Sequence, residues 1–238
     1  MASEIAASLG IYSVLFAENL LKNPYFCHYP KVNKIRLTNT VMDKYLVHCL
    51  LNNIKEPHKE LVDEVASKFD TPYTLERAFD AHFTICGVET DKIQEIEDVC
   101  ADFCKKHKKT PLKIDAVETF FHGTVYLAVN LSPDAKQTLS ELICDLNNAN
   151  CMNGRSISEK NIRPHVTVAE SSPEKMDVIT DYVKNKKPYF EGWFDNLAIL
   201  KKVGVKTFSR NSKLRTADGY KEKQNFDIYQ LSKIYNMI

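Results

Sequence analysis

Apolar positions along the chain predict the same succession of elements twice. Each copy opens with a nearly continuous apolar strand, Tyr45–Asn52 in the first copy and Val125–Leu131 in the second. Apolar residues on both faces are typical of a central strand that is covered on both sides. A proline and an amphipathic helical pattern follow in both copies, and then come a short strand and another helix. The chain therefore contains a doubled unit, with its copies spaced like a structural repeat.

The short strand of each copy carries a histidine and a threonine two residues apart. These are His82 and Thr84 in the first copy and His165 and Thr167 in the second. Because a strand has a period of two, the histidine and the threonine share one face, and the apolar residues beside them share the other. Seven histidines would give about one such spacing by chance. The shared context of the two motifs, more than the motifs themselves, indicates function.

The remaining pattern predicts an α+β domain with antiparallel sheets backed by helices, because strands outnumber helices by roughly two to one. A turn at Phe121–Gly123 joins two of the strands as a hairpin. The further predicted elements are helices over Asp91–His107 and Pro173–Lys184, strands over Leu112–Phe121 and Thr124–Leu131, a long strand over Tyr189–Gly204 and a closing strand over Asp227–Leu231.

Residues 1–43 fit neither copy, and we expect an N-terminal extension that packs on a domain formed by residues 44–238. Residues 5–21 are apolar, but they lack the basic start of a signal peptide and are flanked and interrupted by Glu4 and Glu18. The segment is also too short and too charged to span a membrane. We therefore expect no membrane partner.

Composition limits the partners and the compartment. The 238 residues carry a net charge of +1, which leaves no overall basic field for a nucleic-acid duplex and favours a small substrate. The seven cysteines, mostly in apolar runs, indicate a reduced cytoplasmic protein. Cys100 and Cys104 lie one helical turn apart, and core packing is favoured over a metal site because no second pair completes one. The basic loop Lys206–Lys223 is either solvated or a substrate contact. The oligomeric state stays open.

Two histidine–threonine strands at one cleft would place two imidazoles opposite each other. With an unperturbed pKa near 6.5, one ring can accept a proton while the other donates one. The two threonine hydroxyls can donate hydrogen bonds to the non-bridging oxygens of a phosphodiester. This arrangement requires no metal and no cofactor. Without a metal-bound hydroxide, the readiest nucleophile is a ribose hydroxyl beside the phosphate, which favours RNA-like substrates over DNA.

The other five histidines are not predicted to be catalytic. His48, in the first strand, is expected to be structural. We expect surface positions for His28, His58 and His107, and a hairpin tip for His122.

At these motifs the chain resembles the 2H phosphoesterase superfamily, which is named for two His-x-Thr/Ser motifs. Arg163-Pro164-His165 is similar to the approach that the family makes to its second motif. The resemblance covers residues 44–232 and implies a bilobal, pseudo-twofold α+β fold with a central cleft. It implies acid and base roles for the two motif histidines and phosphate contacts from the two motif threonines. It also implies substrate contacts from Arg163 and from Phe120, which would stack on a base; Phe121 competes for that role, and core packing is the alternative for Phe120.

Within the superfamily, the order of elements resembles the branch of A-kinase anchoring proteins and viral 2′,5′-phosphodiesterases, including cyclic-dinucleotide-cleaving members of avian poxviruses. That branch implies a phosphodiesterase that cleaves 2′–5′ bonds in 2′,3′-cGAMP or 2′–5′ oligoadenylate, in viral evasion of host immunity. One alternative is an RNA 2′,3′-cyclic phosphodiesterase in RNA end processing. Others are a non-catalytic nucleotide-binding module and a structural or partner-binding protein.

Overall fold

A computed structural model describes most of the chain from residue 42 onward. The described residues are 42–71, 81–121, 123–149, 156–158, 160, 162–171, 173–209 and 223–238, with the backbone alone at 173, 206–209 and 223–226. The predicted extension up to residue 41, His122 and most of the basic loop Lys206–Lys223 lie outside these ranges. Residues 41–238 form one compact unit.

Eight strands and four α-helices make up the described chain, in the proportion that the sequence predicts. The strands are β1 (Asp43–Leu50), β2 (His82–Thr90), β3 (Thr110–Phe120), β4 (Thr124–Leu131), β5 (His165–Glu170), β6 (Phe190–Phe194), β7 (Asn196–Ser209) and β8 (Lys223–Asn236). The helices are α1 (Lys55–Phe69), α2 (Ile93–Lys106), α3 (Pro133–Asn148) and α4 (Pro173–Asn185), with a 3-10 turn at Asn52–Ile54 before α1. Proline at the first position of α3 and the Ser132 cap, whose hydroxyl accepts from the amide of Ala135 at 3.1 Å, fix where that helix begins.

The strands form two four-stranded antiparallel sheets with equivalent orders. The first sheet runs β2-β1-β7-β8 and the second runs β5-β4-β3-β6. β2 and β5 contact each other, so the two sheets meet at the strands that carry the motifs. One apolar core joins both sheets to the helices, with Phe83, Leu127 and Ile179 fully buried in it. This is the predicted pseudo-twofold α+β fold.

The two sheets share an irregularity in their strand pairing. On β1, the pairing with β2 slips between Val47 and His48, and on β4 the pairing with β5 slips between Val125 and Tyr126. After the slip His48 lies opposite Thr84, and Tyr126 lies opposite Thr167. A bulge adds one unpaired residue and locally increases the strand twist. Equal bulges therefore turn both motif strands in the same way.

The predicted long strand Tyr189–Gly204 is wrong, because the run is divided between the two sheets. β6 pairs with β3 in the second sheet, and β7 pairs with β1 in the first. The polar pair Asp195–Asn196 marks the change of sheet. The Asn196 side chain is buried, accepts from the Leu50 amide at 2.9 Å and donates to the Leu50 carbonyl at 2.7 Å. It therefore continues the β1–β7 ladder beyond its last backbone pair, His48 with Ala198.

The predicted hairpin between β3 and β4 is present, and its turn is fixed by Gly123. This glycine has a φ of 101°, and a Cβ there would lie 2.1 Å from the carbonyl oxygen of Ser171. Its own carbonyl accepts a hydrogen bond from the Ser171 amide at 2.7 Å. Only glycine combines this conformation with so close an approach. The hairpin is thereby attached to the end of β5, which places Phe120 near the second motif.

Candidate active site

The motif side chains occupy equivalent positions on β2 and β5. His82, Thr84, His165 and Thr167 are all partly exposed, whereas the apolar residues between and after them are buried. The first five residues of both strands show the same alternation of partly exposed and buried positions. The predicted face of each motif is therefore confirmed, and the contact between β2 and β5 brings the two strands together.

In the first half of the site, a third histidine contacts both motif residues. The Nε2 atom of His48 lies 3.2 Å from the hydroxyl of Thr84. The His48 ring also stacks on the ring of His82, with centroids 4.2 Å apart and planes 5° from parallel. Burial, and the neighbouring charge of His82 after it, lower the pKa of His48 from 6.5 to about 2. His48 is therefore a neutral imidazole at physiological pH.

In the second half, the orientation of His165 is set by its own strand and by two aromatic rings. Its Nδ1 lies 2.6 Å from the carbonyl oxygen of Arg163. A carbonyl oxygen only accepts hydrogen bonds, so Nδ1–H donates, and the neutral ring keeps its bare lone pair at Nε2. Phe120 and Tyr126 meet the ring edge to face, at centroid distances of 4.9 and 5.1 Å.

Tyr126 joins the second motif to two charged groups. Its hydroxyl donates to the Glu118 carboxylate at 2.8 Å. Burial raises the pKa of Tyr126 to about 12, the bond to Glu118 acts in the same direction, and Arg163 opposes both. The Arg163 guanidinium therefore lies near this hydroxyl, and the structure places Arg163 in the second half of the site.

The neighbouring residues Phe120 and Phe121 have different surroundings. Phe120 is partly buried, stacks on Tyr126 at 4.3 Å and contacts His165. Phe121 is 94% exposed at the hairpin turn. Of the two candidates for stacking on a base, Phe120 is the one in contact with a motif histidine.

The predicted surface position of His58 is wrong. This histidine is buried on α1, and its Nε2–H donates to the carbonyl oxygen of Thr167 at 2.9 Å. Burial lowers its pKa, and the bond to Thr167 acts in the opposite direction. The sequence held a signal for this: His58 stands three, four and seven residues before Leu61, Val62 and Val65, the spacing of one helix face.

The prediction for His107 also needs correction, and the one for His48 does not. His107 is half-buried, with its ring stacked on Phe103 at 3.9 Å, and does not stand on the open surface. His48 is buried, as expected of a structural residue, but it lies inside the candidate site. No local pattern in β1 reveals its contact with Thr84, because that contact depends on the bulged register with β2.

The candidate site has no metal-binding cluster within the part of the chain that the structure describes, since no three His, Cys, Asp or Glu side chains are grouped there as ligands. Cys100 and Cys104 are buried among apolar residues of the core. No helix in the described ranges is long and apolar enough to cross a membrane.

The paired motifs and the two equivalent sheets define a class of protein, the 2H phosphoesterases. The sequence profile of the 2′-5′ RNA ligase superfamily matches residues 54–206, which include both motifs and more than half of the chain. The chain belongs to this superfamily, whose members are phosphoesterases. The predicted superfamily is therefore confirmed. No curated protein sequence matches the chain significantly.

Three solved structures are similar to the chain at low sequence identity. A crystal structure described only as a phosphoesterase is 12% identical, with a TM-score of 0.50 over 82% of this chain and 98% of the other. Escherichia coli LigT complexed with 3′-AMP is 12% identical, with a TM-score of 0.49 over 82% and 98%. Usb1 of Kluyveromyces marxianus is 13% identical, with a TM-score of 0.36 over 66% and 92%. At 12% identity, the similarity to the first of these structures concerns the fold alone.

Proposed function

We propose that this protein is a metal-independent phosphodiesterase that cleaves 2′–5′ phosphodiester bonds in nucleotide second messengers. The observation that carries the proposal is that the two motifs have the same register, the same burial pattern and the same exposed face, on strands that contact each other. A pair of imidazoles with a pair of hydroxyls supplies a base, an acid and two phosphate donors. Those are the groups that phosphoryl transfer to a substrate hydroxyl requires.

His165 is suited to act as the base. Its Nδ1–H is held by the Arg163 carbonyl, so the lone pair of the neutral ring is at Nε2, where it can accept the proton of a ribose 3′-hydroxyl. The 3′-oxygen then attacks the phosphorus, and the bond from phosphorus to the 5′-oxygen breaks. His82 donates a proton to that leaving 5′-oxygen. The product is a 2′,3′-cyclic phosphate, which water can open in a second step with the two histidines exchanging roles.

The threonines and Arg163 are suited to hold the phosphate. Thr84 and Thr167 lie two residues after the histidines on the same faces, so their hydroxyls can donate to the two non-bridging oxygens. Arg163 adds a positive charge beside the second motif. Donors fixed on strands cost little reorganisation when negative charge develops in the transition state.

A neighbouring ribose hydroxyl as nucleophile and the charge of the chain favour a short RNA-like substrate, and the resemblance to the 2′,5′-phosphodiesterase branch favours the 2′–5′ linkage. A 2′–5′ linkage leaves the 3′-hydroxyl beside the phosphate, in position for intramolecular attack. A net charge of +1 suits a short or cyclic nucleotide better than a long polyanion. Phe120, against His165, can stack on one base. We therefore propose 2′,3′-cGAMP or 2′–5′ oligoadenylate as the substrate. Removal of this messenger in the cytoplasm would serve viral evasion of host immunity.

A substrate panel tests the proposal. Turnover is measured with EDTA present on 2′,3′-cGAMP, 3′,3′-cGAMP, 2′–5′ diadenylate, 3′–5′ diadenylate and an RNA with a 2′,3′-cyclic phosphate end. The double variant His82→Ala/His165→Ala is the blank. We expect cleavage of the substrates with a 2′–5′ bond and none of their 3′–5′ counterparts. Activity on the cyclic-phosphate RNA alone would assign the protein to RNA end processing, and nucleotide binding without turnover would make it a binding module; either result overturns the proposal.

A further inference from the structure

His48 is one point at which the two halves of the site differ. It is 1% exposed on β1 and contacts Thr84 through Nε2 and His82 through its ring. At the equivalent register of β4 stands Tyr126, opposite Thr167. The Tyr126 hydroxyl donates to Glu118 instead. Within the described residues, the Thr167 hydroxyl makes no hydrogen bond. The side chain opposite Thr84 therefore contacts the motif hydroxyl, whereas the side chain opposite Thr167 does not.

The neutral state of His48 decides what it can do for Thr84. Burial keeps the ring uncharged, so one ring nitrogen carries hydrogen and the other is bare. A threonine hydroxyl has a single hydrogen to donate. A phosphate oxygen only accepts, and therefore Thr84 can bind it only if that hydrogen is not already donated to Nε2. If Thr84 donates to a phosphate, the 3.2 Å contact is therefore Nε2–H of His48 donating to the Thr84 oxygen.

We propose that His48 is a positioning residue that holds the Thr84 hydroxyl as a donor toward the phosphate and holds the ring plane of His82. This inference rests on the proposed function for the identity of the ligand. His48 itself is too buried to contact the substrate and acts through its two neighbours. The first half of the site is therefore organised before the substrate binds, and Thr84 contributes more to phosphate binding than Thr167 does. Prior organisation of this kind reduces the cost of ordering a side chain on binding.

Two substitutions separate the two contacts. His48→Phe keeps a flat ring over His82 and removes the donor to Thr84, so we expect KM to rise about tenfold and kcat to stay within about twofold. His48→Gln places an amide N–H near the former Nε2 and removes the ring, so we expect kcat to fall about tenfold with KM within about twofold. His107→Phe, outside the site, is the control and should change neither. Equal effects of the two His48 substitutions on both constants would overturn the proposal.

A double-mutant cycle shows whether His48 acts through Thr84. We expect the KM of His48→Phe/Thr84→Val to equal that of Thr84→Val alone, because the hydroxyl that His48 orients is already gone. We also expect Thr84→Val to raise KM more than Thr167→Val does. Additive effects in the cycle would assign His48 a merely structural role and contradict the inference.

The tautomer of His48 can be measured whether or not the protein turns over any substrate. Two-bond proton–nitrogen couplings of the histidine rings distinguish Nε2–H from Nδ1–H in the wild-type protein. We expect the Nε2–H form of His48 both in the free protein and with inorganic phosphate added. An Nδ1–H form in either sample would overturn the proposal. If the substrate panel is silent and the Nε2–H form is found, the proposed function fails and the role of His48 in orienting Thr84 stands.

Discussion

Phe120 meets His165 edge to face, with ring centroids 4.9 Å apart. Its neighbour Phe121 is 94% exposed. A nucleobase that stacks on Phe120 would therefore lie beside His165, the histidine that we propose as the general base. Stacking of a nucleobase on an aromatic side chain contributes roughly 1–3 kcal/mol. We expect Phe120→Ala to raise the KM for a 2′–5′ dinucleotide between about 5-fold and 150-fold, and Phe121→Ala to change it less than twofold. Steady-state kinetics of the two variants check this prediction. A larger effect of Phe121→Ala than of Phe120→Ala would show that the nucleobase stacks on Phe121 at the hairpin turn instead.

Removing the substrate nucleophile should abolish cleavage without abolishing binding. In a 2′–5′ dinucleotide whose attacking ribose is 3′-deoxy, the hydroxyl that His165 would deprotonate is missing. We expect turnover to fall by at least about 10³-fold, because the intramolecular attack is lost. The analogue should still compete with the normal substrate at a similar concentration. Cleavage of the analogue at a comparable rate would show that water is the first nucleophile.

The stability of the fold should depend on pH through His48. Its pKa is about 2 in the folded protein and 6.5 in the unfolded chain, so the unfolded chain binds an extra proton at intermediate pH. The stabilisation that the neutral, buried His48 contributes is complete above about pH 6.5 and is lost progressively as the pH falls toward 2. Between about pH 6 and about pH 4 this loss amounts to roughly 2–3 kcal/mol of unfolding free energy. His58, whose pKa burial also lowers, acts in the same direction.

Urea unfolding at several pH values checks that prediction. We expect His48→Phe to show a flatter pH dependence than the wild type, by about that amount. Tyr126→Phe is the matched control at the equivalent position, because its hydroxyl, with a pKa of about 12, stays protonated over this range. The same slope in His48→Phe and the wild type would show that His48 is not buried as a neutral ring.

Asn196 should stabilise the point at which the chain changes sheets. Its buried amide pairs with both backbone groups of Leu50. In Asn196→Ala the buried Leu50 amide would lose its partner, at about 1–3 kcal/mol, and the Leu50 carbonyl would keep only the weak Cys49 thiol donor 3.8 Å away, at a smaller cost. We expect a loss of roughly 2–4 kcal/mol in urea unfolding. Asn130→Ala, at an exposed position on β4, should cost less than about 1 kcal/mol. Equal losses in the two variants would mean that the Asn196 bridge contributes little.

The motif faces could be predicted from the sequence because they depend on local periodicity alone. Alternation along His82–Ile85 fixes which side chains are buried, whatever the strand pairs with. The repeat was visible for the same reason, since each copy is a local succession of strand and helix patterns. The burial of His58 could be predicted from its spacing to Leu61 and Val65, which lie on the same helix face. Residue type alone favours a surface position for a histidine.

The contacts across strands could not be predicted in this way. His48 reaches Thr84 because the β1–β2 register slips at Val47, and a slip of one residue changes which side chains are opposite. The break at Asp195 was hidden because two strands of different sheets follow each other with one residue between them. Both features depend on tertiary pairing, which periodicity along a single strand does not specify.

The pH dependence of kcat/KM tests the paired roles of His82 and His165 most directly. For the wild type acting on a 2′–5′ dinucleotide we expect a bell-shaped profile, because one histidine must be neutral and the other charged. Each single alanine variant should be slower by about 10²–10⁴-fold and should lose one limb of the bell. His165→Ala should lose the acidic limb and His82→Ala the basic limb. A bell that keeps both limbs in either variant would contradict the assignment of the two histidines as base and acid.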